Sequence, residues 1–111
     1  MTLSTEPIDG DITRVILDGR LDIQGAAAID LRMNVLAGSS KILLLDLTNV
    51  SFLGSMRLRS IVVPAQAIRR RGGKMAIFNP APIVEEVLNA SNIGEIIPIF
   101  HDLDAATDTL R

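Results

Sequence analysis

Apolar and polar positions along this chain change period several times, and the changes mark out its elements. Segments around 3–8 and 12–18 read as strands, the second of them, Ile12-Thr13-Arg14-Val15-Ile16-Leu17, rich in β-branched residues. Gly10-Asp11 between them is a turn signal and predicts a hairpin. Gly19-Arg20-Leu21-Asp22 closes the pair. From about Gly25 to Ala37 the period becomes helical, with Ile29, Met33 and Leu36 on one face. Ala28, Leu31 and Val35 form a second apolar stripe, which a neighbouring element or an interface must cover. Gly38-Ser39-Ser40 ends this helix.

Lys41-Ile42-Leu43-Leu44-Leu45-Asp46-Leu47 is almost continuously apolar, as in a central strand covered on both faces. Asp46 reads as a strand-end carboxylate and Thr48-Asn49 as a turn before Val50-Ser51-Phe52-Leu53. A second helix is expected from Ser55, with Leu58, Ile61, Val62, Ala65 and Ile68 inward and a bend at Pro64. It stops at Gly72-Gly73. Arg69-Arg70-Arg71 before the stop suits the negative end of the helix dipole better than a nucleic-acid patch.

Lys74-Met75-Ala76-Ile77-Phe78 is another strand. After Asn79-Pro80-Ala81-Pro82 a helix is expected with Ile83, Val87 and Leu88 inward. Ile96-Ile97-Pro98-Ile99-Phe100 is a short strand, and Pro98 places it at an edge. Asp102 caps a last helix. The order is β-β-α-β-α-β-α-β-α. It predicts an α/β fold with a mixed, mostly parallel sheet of about five strands and about four helices.

Composition narrows the function. With 111 residues the chain fits one domain, 1–111. A net charge of -2 argues against a nucleic-acid binder. With no cysteine and the single histidine His101, thiolate chemistry and Cys or multi-His metal sites are excluded, and His101 reads as a surface residue. No glycine-rich phosphate loop and no nucleophile–base pair can be assembled, so neither enzyme activity nor a cofactor is expected. No apolar run is long enough to insert in a membrane and no signal peptide is visible, so a cytoplasmic location is expected.

Several segments together resemble one family. Gly19-Arg20-Leu21-Asp22 resembles the Gly-x-Leu-Asp that ends the second strand of STAS domains of the anti-sigma factor antagonist type. Leu45-Asp46-Leu47-Thr48-Asn49-Val50-Ser51-Phe52-Leu53 resembles that family's Asp-Leu-x-x-Val-x-Phe-Ile stretch. Arg71-Gly72-Gly73-Lys74-Met75, Asn79 to Leu88 and Ile97-Pro98-Ile99-Phe100 are similar to the remainder of its pattern. The order and spacing of these motifs carry the resemblance, which covers nearly the whole chain.

The resemblance implies an adaptor that sequesters an anti-sigma factor of the histidine-kinase-like ATPase type and so frees a sigma factor. Its contact residues would be Asp22, Ile23, Gly54, Ser55, Met56 and Arg57. The alternative it leaves is a structural subunit of a stressosome-like or lipid-transport complex, and a weak homodimer is also expected as an option. One segment departs from the family. Where antagonists usually read Asp-Ser-Ser-Gly-Leu-Gly, this chain reads Gly54-Ser55-Met56-Arg57-Leu58-Arg59. The usual phosphoacceptor position is Met56, which has no hydroxyl, and Ser55, one residue earlier, is the candidate for a displaced phosphoacceptor. Each of these residues also has a plainer reading. Ser55 would be the N-cap of the second helix, and Asp22 would stabilise the turn after the second strand. Met56 would be buried in the core, and Arg57 and Arg59 would be solvated.

Overall fold

The computed structural model describes residues 1–111. Five strands form one sheet in the order β1-β2-β3-β4-β5: Thr2–Asp9, Ile12–Leu21, Ile42–Leu53, Lys74–Phe78 and Ile99–Phe100. β1 runs antiparallel to β2, and every later pairing is parallel. Four helices alternate with the strands: α1 Ile23–Ser39, α2 Arg59–Arg70, α3 Pro82–Ala90 and α4 Leu103–Leu110. This is the α/β architecture expected from the period changes. No helix is long and apolar enough to cross a membrane.

The central strand explains the two-layered core. On β3, Leu43, Leu45 and Leu47 join the main cluster with Ile29 and Met33 of α1, Ile61 and Ile68 of α2, and Val84 and Leu88 of α3. Leu44, pointing the other way, packs with Ile12, Ala76, Ala106 and Leu110 beneath α4. A strand covered on both faces takes apolar residues in succession, which is why the run from Ile42 to Leu47 lacks alternation and is broken only by Asp46.

Four local expectations are corrected. Thr48-Asn49 is no turn, because β3 continues unbroken to Leu53, and the irregularity is absorbed as register shifts against β2. Asp46 therefore lies within the strand. It is 3 % exposed and accepts from Arg14 Nε at 3.0 Å, Arg14 Nη2 at 2.6 Å, and the Thr48 N–H at 2.9 Å and hydroxyl at 2.6 Å. These bonds satisfy a carboxylate that would otherwise be costly to bury. In α3 the core face is Val84 and Leu88, while Ile83 is exposed. The helix starts at Pro82, which places Ile83 in the outward phase of the first turn. The last strand is only Ile99–Phe100, since Ile93–Glu95 forms a 3-10 turn and Pro98 removes a donor. It does occupy the sheet edge beside β4.

The end of α2 shows why two consecutive glycines stand there. The Gly73 N–H reaches back to the Ile68 carbonyl at 2.8 Å while Gly72 adopts a φ of 82°, a left-handed turn that closes the helix. Arg71 does not serve its own helix dipole. Its Nη1 donates to the Ala37 carbonyl at 2.6 Å and the Ser40 carbonyl at 3.1 Å, which ties it to the end of α1.

Candidate functional site

The parallel strands β2 and β3 end side by side, and both lead directly into turns that start helices. The Gly54 N–H donates to the Leu21 carbonyl at 3.0 Å, bolting the two strand ends together. On one side, Asp22 caps α1 by accepting from the Gly25 N–H at 2.8 Å. On the other, the Arg57 N–H donates to the Gly54 carbonyl at 2.8 Å, closing a 3-10 turn over Ser55–Arg57. Both connections are short, so the two turns stand side by side and leave a depression at the carboxyl edge of the sheet.

That depression is an open groove of about 380 Å³ lined by Asp22, Ile23, Phe52, Gly54, Ser55, Met56 and Arg57. All six residues expected at a contact surface are brought together in it. Ile23 and Met56 present large apolar side chains at its edges, 72 % and 76 % exposed. The Asp22 carboxyl is held below its ordinary range, first by the Gly25 N–H and also by the Arg20 guanidinium, whose Nε lies 3.6 Å away.

Each of the plainer readings meets a definite outcome. Asp22 does stabilise the turn, as the helix cap. Ser55 caps nothing: α2 begins only at Arg59, Leu58 occupies the cap position, and no side chain bonds there. The intervening 3-10 turn separates Ser55 from the helix proper and leaves it exposed. Met56 is outside the core. Arg57 is half-buried instead of solvated, because it folds against the groove, whereas Arg59 is exposed.

Two groove neighbours were missed in the sequence. Arg20 and Phe52 are paired in register across β2 and β3, and the guanidinium lies 4.3 Å from the ring centroid. The signal was present: in Gly19-Arg20-Leu21 and Ser51-Phe52-Leu53 the buried leucines force their neighbours to the opposite face. What could not be read from the sequence was that these two faces adjoin. Their cation–π contact fixes one wall of the groove.

The chemistry offered is recognition by surface. The groove has apolar edges, one ionised carboxylate, one exposed hydroxyl and two guanidinium groups. His101 lies apart from it, with Nε2 at 2.8 Å from Glu85 Oε1. No cluster of three or more acidic or histidine side chains is placed to hold a metal.

A five-stranded α/β domain with an open groove at the carboxyl ends of two parallel strands defines the class of protein. The model of the STAS domain family matches residues 5–106, and the chain belongs to that family. It is 28 % identical over 97 residues to an anti-sigma F factor antagonist of Paenibacillus polymyxa, covering 85 % of this chain and 83 % of that one. It is also 28 % identical over 64 residues to a candidate anti-anti-sigma factor of Mycobacterium tuberculosis, spanning 58 % of this chain but only 43 % of that protein. Among solved structures, an anti-sigma factor antagonist from Mycobacterium paratuberculosis superposes with a TM-score of 0.87 at 23 % identity, over 99 % of this chain and 93 % of the other. The unphosphorylated antagonist SpoIIAA gives 0.81 at 18 % identity, over 99 % and 96 %. At such identities the structural likeness is one of fold.

Proposed function

We propose that this protein is an anti-sigma factor antagonist-like adaptor working in the cytoplasm. Through the groove it binds an anti-sigma factor of the histidine-kinase-like ATPase type and so releases a sigma factor. It does this by binding and not by catalysis. The observation that carries the reading is the convergence of Asp22, Ile23, Gly54, Ser55, Met56 and Arg57 on one open surface. These residues come from two segments more than thirty positions apart in the sequence. Relatives named as antagonists of anti-sigma factors support the choice of partner.

The proposed adaptor lacks the usual serine switch. Met56 stands at the family's phosphoacceptor position, and no rotamer of methionine supplies a hydroxyl. Ser55 is one residue earlier, which in this 3-10 turn rotates the side chain by about 120° and shifts it about 2 Å along the axis. A kinase shaped for the usual position would meet the wrong atom, and misplacement of that size costs large factors in rate. Competence is then set by synthesis and partner supply.

The test is a titration of purified protein against the kinase-like anti-sigma protein of its genomic neighbourhood. Met56→Asp is expected to weaken binding by at least about tenfold while melting as wild type, because it places an unpaired charge in an apolar contact. Normal binding by that variant overturns the placement of the surface. Incubation with the same kinase and ATP is expected to leave Ser55 unmodified. Stoichiometric phosphate on Ser55 that releases the partner restores the switch in a shifted register. One observation favours the second reading, a scaffold subunit of a stressosome-like or lipid-transport assembly: the outer face of α1 is apolar and uncovered.

A further inference from the structure

Helix α1 turns one face to the core and leaves the opposite face bare. Gln24, Ala27, Ala28, Leu31, Val35 and Gly38 are all exposed, and Leu31 and Val35 are 77 % and 59 % exposed. In helical phase they form a single stripe about 21 Å long at 1.5 Å per residue. The stripe holds no charge. The charges on its flanks are turned away: Asp30 faces α2 in a cleft with Asn34, Arg59 and Ser60, and Arg32 Nη1 donates to the Leu3 carbonyl at 2.7 Å.

We propose that this stripe is a self-association surface on which two copies of the chain pair through antiparallel α1 helices. The order of side-chain sizes selects that occupant and that direction. About a twofold axis at Leu31, each Ala27 meets Val35 of the second copy and each Gln24 meets Gly38 of the second copy. Small residues then oppose large ones on either side of the central Leu31 pair, which suits close packing. A parallel pair would set Ala27 on Ala27 and Val35 on Val35, leaving a gap at one end and crowding at the other. Antiparallel pairing also opposes the helix dipoles favourably. Because the stripe is uncharged, bringing two identical copies together sets no like charges in the contact. The pairing does not depend on the groove reading, since Asp22, Met56 and Arg57 lie outside the stripe, and only Ile23 of the groove adjoins its first residue, Gln24.

The area sets the strength. The stripe removes a few hundred Å² per chain, below the roughly 800 Å² per partner of a standard stable interface, so the dimer is weak and concentration-dependent. The chain has no cysteine, so single introduced thiols report the geometry without background. In sedimentation equilibrium between about 10 µM and about 1 mM, a reversible monomer–dimer equilibrium is expected, and Leu31→Asp raises its dissociation constant at least about tenfold. Leu31 is exposed, so the variant should melt as wild type, and Leu31→Cys supplies an independent measurement. Under mild oxidation Leu31→Cys links to itself. A mixture of Ala27→Cys and Val35→Cys links across, but neither of these links efficiently to itself, because only facing Cα pairs come within disulfide reach. A chain that stays monomeric throughout the concentration range overturns the proposal. So does a dimer insensitive to Leu31→Asp, or self-linking of Ala27→Cys and Val35→Cys.

Discussion

Gly25→Ala tests how the groove is held. Gly25 is buried in the first turn of α1, and its N–H is the donor that binds the Asp22 carboxylate. A Cβ at this position would collide with the Arg20 carbonyl oxygen, a backbone atom at the end of β2 that no side-chain rotation can move aside. Overpacking of this kind costs about 1–3 kcal/mol. Displacing the helix start also strains the cap bond, a feature worth about 1 kcal/mol. Alanine's better helix propensity returns about 0.5–1 kcal/mol. The expected net loss is about 1–3 kcal/mol, or a fall in Tm of roughly 5–15 °C for a domain of this size. Urea unfolding followed by circular dichroism measures it, with a lower midpoint and an unchanged slope. Because Arg20, Asp22 and Ile23 flank the same junction, groove binding should weaken as well. Gly38→Ala is the control. It lies in the same helix with nothing within 4 Å of the added Cβ, and it should stabilise by about 0.5–1 kcal/mol. If both variants melt alike, the close approach of α1 to β2 does not govern this junction.

Asp46→Ala should destabilise by about 1–3 kcal/mol, because it leaves the Thr48 N–H unpaired inside β3 and leaves the half-buried Arg14 guanidinium with only the exposed Glu6 carboxylate as an ionic partner. Asp46→Asn should lose less, since the amide oxygen still accepts from Thr48, and equal losses in chemical denaturation would refute the network. Asp22 has a folded-state pKa below the ordinary aspartate value of 3.8, so its ionised cap stabilises the fold fully above that value. This contribution is lost as the pH falls from there through the lowered folded value. The melting temperatures of wild type and Asp22→Asn should therefore converge on acidification, and a constant difference down to about pH 2 would contradict the assignment.

Much of this protein was legible from period and turn chemistry alone. The apolar run at Ile42–Leu47 reported a strand covered on both sides, because only a two-layered environment tolerates such a run. Gly10-Asp11, Gly72-Gly73 and Asp102 marked a hairpin, a helix end and a helix start through conformational needs that are local. The six groove residues were legible for another reason: two motif segments resembled those of one family. The errors fell where a local signal competed with a longer-range one. Thr48-Asn49 carries turn residues, yet pairing with β2 kept β3 extended, and the Asp46 carboxylate took up the Thr48 N–H and hydroxyl. Ser55 looks like a helix cap in sequence, but the bond from the Arg57 N–H to the Gly54 carbonyl closes a 3-10 turn before α2.

The sequence by itself determined the elements, their order and the residue types available for chemistry, because these depend on side-chain period, glycine and proline geometry, and composition. Only the tertiary structure decided that Arg20 stacks on Phe52, that Met56 and Ile23 stand exposed at the edges of one groove, and that the second stripe of α1 is left uncovered. Each of these depends on which strand ends adjoin and which helix covers which face. Those relations arise from sheet register and packing between segments far apart in the chain, and no local pattern encodes them.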